Sequence, residues 1–390
     1  MTMTQVSGTT GDEDAKEREA LIGAVRDFAA SRLEPFANDR DANKDFPLDV
    51  LREAGQLGLG GICLREDVGG SGLRRADAVA IFEELAHGDT AIAAYVSIHN
   101  MAAGMVDRFG TDEQRQRWLP GLCAMDDLAS YCLTEPGAGS DAGAIATTAR
   151  RDGDEYVIDG TKQFISGAGS SSVYVVMART GEPGPRGIST LIVPGDAEGL
   201  SFGPNEHKMG WNAQPTRPVI FDGVRVPVGN RLGAEGDGFS IAMHGLNGGR
   251  VNIAACSIGG ARFALERTTT YVQQRVAFGA ELVAQQSVLF SLADMATDLV
   301  AARLMVQRAA EAMDAGAPDV VAACAMAKRF ATDAGFTIAN TALQLHGGYG
   351  YLHEYGIERV MRDLRVHQIL EGTNEIMRLV IGRSLLDHRV

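Results

Sequence analysis

The sequence predicts an α+β protein, mostly α, with an N-terminal helical domain, a middle β domain and a C-terminal helical bundle. Eight of its twelve prolines fall within one stretch of about ninety residues, from Pro136 to Pro227. Long helices are excluded there because proline lacks a backbone N–H and clashes with the preceding turn. Short β-branched or aromatic runs lie in the same stretch, and apolar residues at helical spacing lie on both sides of it.

The N-terminal helical domain is expected over residues 15–125. Apolar residues recur three and four positions apart from about Glu17 to Phe36 and again from Ala76 to His87. The residues before it, 1–14, are polar and acidic, and we expect them to form a disordered tail.

The middle β domain is expected over residues 126–232. Strands are predicted around 156–158, 173–177 and 190–193, where β-branched and aromatic residues are bounded by Gly, Pro and Asp. The pair Asp159-Gly160 predicts a hairpin turn.

The C-terminal helical domain is expected over residues 233–390, with a long helix from Gln286 to Ala315. Its apolar residues at helical spacing are Leu289, Leu292, Met295, Leu299 and Ala302. Apolar residues also occupy much of the remaining face, so we expect burial on more than one side. Either a neighbouring subunit or an intramolecular core would supply that burial.

Composition excludes several classes of function. The 390 residues carry a formal net charge of −14, which disfavours a nucleic-acid partner. Five separated cysteines without a C-x-x-C pair predict neither a disulfide framework nor a metal site. No apolar run approaches the roughly 18 residues of a membrane helix, and the N-terminus lacks the features of a secretory or transit peptide. We therefore expect a cytoplasmic protein with no membrane partner.

Two segments carry residues suited to binding and chemistry. The first, Tyr131 to Asp141, combines glycines that allow close backbone approach with the hydroxyls of Thr134 and Ser140. In isolation it would be a surface turn. A similar alternative holds for His346, which ends a predicted helix before two glycines and by itself would be a capping or packed histidine.

The second segment places Glu371 in an apolar, strand-like run just before a helix. Partial desolvation there would raise its pKa toward neutrality, as a general base for a weakly acidic proton requires. The alternative is a solvent-exposed loop glutamate. Thr373 and Asn374 are suitable N-caps for the following helix, whose N-terminal amides could receive an anionic group.

Four separated segments, in this order, resemble the acyl-CoA dehydrogenase family from about residue 15 to the C-terminus: 131–141, 159–168, 344–351 and 367–376. The resemblance implies FAD as cofactor, with the adenosine diphosphate part bound across a dimer interface in a tetramer built as a dimer of dimers. The implied cofactor-binding residues are Tyr131, Leu133, Thr134, Gly139, Ser140, Phe164, Ile165, Ser166, Arg275, Phe278, Gln285, Gln286, Gln344, Leu345, His346, Gly347, Gly348, Thr373, Asn374 and Glu375.

The resemblance also implies that Glu371 is the catalytic base, taking the α-proton of an acyl-CoA while hydride leaves the β-carbon for the flavin. Some family members carry the base on the first C-terminal helix instead, but the matching position here is Gly249. An electron-transfer flavoprotein is the implied electron acceptor. Chain length disfavours an acyl-CoA oxidase, Glu in place of Asp disfavours a nitroalkane oxidase, and the balanced C-terminal charge disfavours a DNA-associated flavoprotein. A purely structural paralogue would not need to keep Glu371 with all the flavin segments.

Two short runs, 245–250 and 365–372, resemble the subgroup of the family that acts on isobutyryl-CoA, in valine breakdown. The implied substrate-binding residues are Ser140, Asn247, Gly248, Gly249, Arg250, Leu370 and Gly372. The glycine pair could make room for an α-methyl group, or could serve only tight helix packing. A methylene is worth roughly 1–3 kcal/mol in such a pocket, so 2-methylbutyryl-CoA and butyryl-CoA stay competitors.

Overall fold

The computed structural model describes residues 10–387. Helices form the first part of that range: α1 Thr10–Phe28, α2 Ala37–Asn43, α3 Leu48–Gln56, α4 Arg75–Gly88, α5 Thr90–Phe109 and α6 Asp112–Cys123. A π-helical turn, Ala29–Leu33, continues α1. At the start of α5 the Asp89 carboxylate accepts hydrogen bonds from the backbone N–H groups of Ala91 and Ile92, which fixes where this helix begins.

Part of the predicted disordered tail is helical. Because α1 begins at Thr10, the prediction of disorder was wrong for residues 10–14. The rest of the predicted tail, residues 1–9, lies outside the described residues.

A sheet of eight strands forms the middle of the chain. Its strands are β1 Ala129–Cys132, β2 Thr148–Asp152, β3 Glu155–Ser166, β4 Val173–Arg179, β5 Ile188–Pro194, β6 Leu200–Phe202, β7 Thr216–Pro227 and β8 Arg231–Leu232. The order is β6-β7-β3-β2-β4-β5-β8, and β1 pairs in parallel with β4. The three strands predicted from β-branched runs are present as parts of β3, β4 and β5.

The predicted hairpin at Asp159-Gly160 is absent, because these residues lie inside β3. The register with β7 shifts between Ile158 and Gly160, and Gly160 has a φ of 148°. A Cβ at this glycine would lie 2.7 Å from the Cα of Thr147. The glycine therefore permits a β-bulge and a close approach of the backbone at Thr147, rather than a hairpin turn.

The C-terminal part is helical apart from one small hairpin. Its elements are α7 Gly238–Gln274, β9 Val276–Ala277, β10 Ala280–Glu281, α8 Gln286–Asp314, α9 Val320–His346, α10 Ile357–His367 and α11 Asn374–Leu386. The long helix predicted from Gln286 corresponds to α8. None of the helices within residues 10–387 is both long and apolar enough to cross a membrane.

Strand β4 is buried on both faces and joins two cores. Val173, Val175 and Met177 pack in a cluster with residues of α5, α6 and α7, whereas the alternate residues Tyr174 and Val176 pack inside the β domain. The sheet is thereby docked against α5 and α7. The candidate site lies at this junction.

Candidate active site

A cavity of about 670 Å³ opens between the sheet, α5, α7 and the turn that joins α10 to α11. The structure brings twelve of the residues predicted from the sequence together around it. These residues are Tyr131, Leu133, Thr134, Gly139, Ser140, Phe164, Ile165, Ser166, Arg250, Leu370, Glu371 and Gly372. The loop from Tyr131 to Ser140 and the run from Phe164 to Ser166 therefore line the same cavity as the predicted base.

The loop after β1 is held by a buried ion pair. The Lys162 ammonium donates to the Glu135 carboxylate at 2.7 Å and to the Leu133 carbonyl at 3.0 Å. The same carboxylate accepts the backbone N–H groups of Ala146 and Thr147. Because the carboxylate and ammonium are both shut off from solvent, the loop is anchored from below. Its hydroxyls and glycines are left to face the cavity.

Phe164 presents its ring to the cavity from an unusual backbone conformation. Its φ is 60°, and the register between β3 and β7 breaks at this point, between Lys162 and Ile165. A left-handed aromatic residue is uncommon because its Cβ crowds the following carbonyl. The side chain is 63% exposed, although the strand on either side is well packed. The strain therefore coincides with an aromatic surface that a planar ligand could cover.

Glu371 lies in a turn rather than in a strand. The residues before it continue from the end of α10, since the N–H groups of Ile369 and Leu370 both donate to the Val366 carbonyl. The strand-like interpretation was therefore wrong, because the apolar residues follow a helical face. Glu371 has a φ of 55° and Gly372 a φ of 90°, so the chain reverses there through two residues with positive φ.

The Glu371 carboxylate is in an environment suited to a base. Burial raises its pKa from 4.5 to about 7, while the nearby charges of Lys328 and Arg250 act in the opposite direction. The residue keeps some exposure toward the cavity, but its Oε2 is buried and has no hydrogen-bond partner among residues 10–387. The exposed-loop alternative is thereby excluded. An unpartnered carboxylate with this pKa can accept a proton at neutral pH.

The backbone of the Glu371 turn is tied to α7. The Nε of Arg250 donates to the Glu371 carbonyl at 3.2 Å, and its Nη1 donates to the Asn247 Oδ1 at 2.8 Å. Asn247 does not line the cavity, and it orients Arg250 instead. Its predicted contact with substrate stays a prediction.

The two glycines of α7 have different surroundings. A Cβ on Gly249 would lie 2.7 Å from the Oε2 of Glu371 and 2.8 Å from the Sδ of Met101. A Cβ on Gly248 would instead approach the Arg75 guanidinium at 3.3 Å. Neither glycine lines the cavity, and the idea that the pair makes room for an α-methyl group stays a prediction. Successive helix residues point in different directions, and Gly249 makes room for the base itself.

The predicted cofactor residues of the C-terminal domain gather elsewhere. Arg275 and the segment 344–348 line a second pocket of about 360 Å³. The His346 ring stacks on Tyr271 with 4.3 Å between ring centres. Phe278, at the tip of the β9–β10 hairpin, is 97% exposed. Gln285 and Gln286, at the start of α8, are also exposed. A single chain does not bring these residues to the first cavity.

The start of α11 is packed inside the protein. Thr373 accepts a hydrogen bond from the Ile376 N–H through its hydroxyl, as predicted for an N-cap. The Asn374 side chain turns inward, where it accepts from Lys328 and donates to Asp333. Glu375 is exposed. None of 373–375 lines the first cavity, and their predicted cofactor contacts stay predictions.

Sequence reasoning missed most of the apolar cavity wall. Its members are Ile98, Met101, Trp211, Phe239 and Met243. They carry no motif, and in the sequence they are ordinary core residues of helices or loops. The docking of α5 and α7 against the sheet brings four of them to the site, and Trp211 is held there by α10, where its backbone N–H donates to Asp363.

Known proteins match this chain along most of its length. Three family models match in succession: acyl-CoA dehydrogenase N-terminal domain (residues 15–126), middle domain (130–224) and C-terminal domain (236–386). Mitochondrial isobutyryl-CoA dehydrogenase from Dictyostelium discoideum is 54% identical over 374 residues, covering 96% of this chain and 89% of that protein. The Bos taurus protein of the same name is 54% identical over 372 residues, covering 95% and 89%. The structure of butyryl-CoA dehydrogenase from Megasphaera elsdenii matches with a TM-score of 0.92, 35% identity and coverage of 99% of this chain and 100% of that one. The predicted resemblance is confirmed, and this chain is an enzyme of the acyl-CoA dehydrogenase family.

Proposed function

We propose that the protein uses FAD to introduce a double bond between the α- and β-carbons of a short, branched acyl-CoA, with isobutyryl-CoA as the favoured substrate and methacrylyl-CoA as its product. One observation carries the proposal. It is Glu371, with a pKa of about 7 and a buried, unpartnered Oε2, at the wall of the cavity that Thr134, Ser140 and Phe164 also line.

The residues around the cavity fit the flavin. A Cβ on Gly139 would meet no atom within 4 Å, so the loop is open to a ligand there. Thr134, Ser140 and Ser166 supply hydroxyls, and Phe164 supplies an aromatic surface. When bound, FAD would supply the acceptor for the hydride lost from the β-carbon, a role that protein side chains cannot fill.

The protein's own contribution is the removal of the α-proton. With a pKa of about 7, Glu371 is partly ionised at neutral pH. The ionised fraction can accept the proton, and the raised pKa makes the carboxylate a stronger base than a free glutamate. Met101, Trp211 and Leu246 surround the site with apolar surface and limit access of water.

The preference for a short, branched substrate is supported by the names of the two relatives that are 54% identical. Leu370, which precedes the base in the sequence and lines the cavity, would limit the length of the acyl chain. Gly248 and Gly249 do not line the cavity, so they lend this preference no support. Because a methylene is worth only roughly 1–3 kcal/mol, 2-methylbutyryl-CoA and butyryl-CoA are the alternative substrates.

We also propose that the enzyme works as a tetramer. The second pocket, lined by Arg275 and the segment 344–348, would bind the adenosine diphosphate part of FAD held by a neighbouring subunit. Phe278 and, on the outer face of α8, Leu289 and Leu304 are exposed in the single chain. These apolar side chains support a surface that a neighbouring subunit covers. Light scattering combined with size exclusion would test this, and a monomer that retains FAD would contradict it.

An electron-transfer flavoprotein is our proposed electron acceptor, as the family resemblance implies. Rapid reduction of such a flavoprotein, with slow consumption of oxygen, would distinguish a dehydrogenase from an oxidase. The cytoplasmic location predicted from the acidic N-terminus stays a proposal. The two relatives carry the word mitochondrial in their names.

The decisive experiment compares kcat/KM for isobutyryl-, 2-methylbutyryl-, isovaleryl-, butyryl- and octanoyl-CoA with an artificial electron acceptor. We expect isobutyryl-CoA to be preferred. Glu371→Gln should lower kcat on the order of 10²-fold or more while keeping FAD and acyl-CoA bound, because the amide cannot accept the proton. Near-normal turnover of this variant would refute the base. A preference for octanoyl-CoA would refute the substrate assignment alone.

A further inference from the structure

Lys328 is a fully buried lysine of α9 that lies directly behind the turn of the base. Its Nζ donates to the Gly372 carbonyl at 2.9 Å and to the Asn374 Oδ1 at 2.9 Å. The two acceptors lie on either side of Thr373. The ammonium therefore spans the junction between the turn of Glu371 and the first residue of α11.

No carboxylate among residues 10–387 forms a salt bridge with this ammonium, since its two acceptors are a carbonyl and an amide oxygen. A buried charge of this kind is costly to keep unless it serves a purpose. Burial lowers the pKa of Lys328 to about 8, and the main opposing influence is the charge of Glu371. Each residue thus stabilises the charged form of the other.

We propose that Lys328 is a positioning residue for the base: its ammonium locks the turn that aims the Glu371 carboxylate and places a positive charge behind it. This inference rests on the proposed function of Glu371. The locking part follows from geometry, because Glu371 and Gly372 both have positive φ and Lys328 holds the carbonyl of the second. A left-handed glutamate persists only where its surroundings over-determine it.

The charge of Lys328 matters because few other charges face Glu371. From α7 they are Arg250 and the Cys256 thiol, and from β1 the Tyr131 hydroxyl. Burial raises the pKa of both the thiol and the hydroxyl, so these two groups stay neutral. From α5 the uncharged side chain of Met101 lines the same cavity as Glu371. The positive charge near the Glu371 carboxylate therefore comes from Arg250 and Lys328.

The test uses two substitutions in the full-length holoenzyme. Lys328→Met removes charge and hydrogen bonds at similar length, whereas Lys328→Gln removes the charge but keeps an N–H donor. We expect the acidic limb of kcat/KM to move to higher pH by about one pH unit in both variants, because an opposite charge nearby favours ionisation of a carboxylate. We expect kcat to fall on the order of 10-fold or more in Lys328→Met, with KM little changed, and to recover in part in Lys328→Gln.

Infrared difference spectra against pH give a readout that does not depend on turnover. The carboxyl stretch of Glu371 is identified by its loss in Glu371→Gln, and its titration should follow the same shift in both Lys328 variants. Thr332→Val is the matched control, because Thr332 also lies on α9 and accepts a hydrogen bond from the Asn374 amide at 3.0 Å but carries no charge. The titration of Glu371 in Thr332→Val should match that in the wild type.

An unshifted titration in both Lys328 variants would overturn the inference, as would an equal shift in Thr332→Val. If Lys328→Met does not fold, Lys328→Gln decides alone. A wild-type enzyme that fails to oxidise any acyl-CoA would instead refute the proposed function, and the infrared titration would still test Lys328.

Discussion

Replacing Glu371 by glutamine should stabilise the folded protein at alkaline pH while it removes activity. The carboxylate has a folded-state pKa of about 7 against 4.5 for the free side chain. The folded state therefore binds more protons than the unfolded state between these two values. The stability that this group contributes is fully present below about pH 4.5, falls as pH rises toward 7 and is lost above it.

The two pKa values differ by about 2.5, which at about 1.36 kcal/mol for each pKa unit corresponds to about 3 kcal/mol at pH 8. Glutamine mimics the protonated form and does not pay this ionisation cost. Its own buried N–H groups lack some partners, which reduces the gain, so we expect about 1–3 kcal/mol. The difference should shrink toward zero as the pH approaches 5.

Thermal unfolding of both proteins from pH 5 to pH 8 would measure this. At about 2.1 cal/mol/K per residue, a chain of 390 residues unfolding as one unit has an entropy of about 0.8 kcal/mol/K. The expected rise in Tm at pH 8 is therefore about 1–4 °C. Protein and FAD concentrations must match, because assembly and ligand binding both shift Tm.

Glu375→Gln is the matched control, since Glu375 lies four residues later and is exposed. Its neutralisation removes a negative charge from the start of α11, where such charge is favoured, and should give no stabilisation. If Glu371→Gln is no more stable than wild type at pH 8, or if its advantage does not shrink at pH 5, the reasoning from burial is wrong.

Three further predictions concern the same site. First, kcat/KM of the wild type should rise with pH through about 7, because only ionised Glu371 accepts the α-proton, and a flat profile between pH 6 and 8 would contradict this. Second, Gly249→Ala should lower kcat on the order of 10²-fold with FAD retained, since its Cβ would displace the carboxylate, whereas Gly248→Ala should have a much smaller effect. Third, Lys162→Met should lower the free energy of unfolding by about 3–5 kcal/mol by leaving Glu135 buried without its partner. Chemical denaturation would measure that loss, and adding Glu135→Gln should restore part of it.

The sequence predicted the order of the domains and most of one side of the cavity, because these depend on local signals. Proline density excluded long helices from the middle of the chain. The loop from Tyr131 to Ser140 could be recognised because it carries glycines and hydroxyl residues within ten residues. The Asp159-Gly160 pair shows the limit of local signals. A glycine that permits a hairpin turn equally permits a bulge, and only the pairing of β3 with β7 decides between them.

The surroundings of the base could not be predicted in the same way. Gly249 and Arg250 approach Glu371 across a sequence separation of about 121 residues, and no periodicity encodes that contact. Lys328 belongs to no motif, and a lysine in a helix is most often a solvated one. Its burial follows from the packing of α9 beneath the start of α11, which depends on the whole C-terminal domain.

The positions of the two cations explain how a base can be firmly oriented and still remain basic. A direct salt bridge from Arg250 or Lys328 would fix the Glu371 carboxylate, but an adjacent opposite charge lowers a carboxylate pKa by about 1–3 units and would weaken the base. In the structure both cations donate instead to backbone carbonyls, Arg250 to that of Glu371 and Lys328 to that of Gly372. These bonds offset the roughly 1–2 kcal/mol cost of the left-handed backbone at Glu371. Within residues 10–387 the buried Oε2 of the Glu371 carboxylate has no hydrogen-bond partner, so the side chain keeps its raised pKa while the turn beneath it is held from two helices.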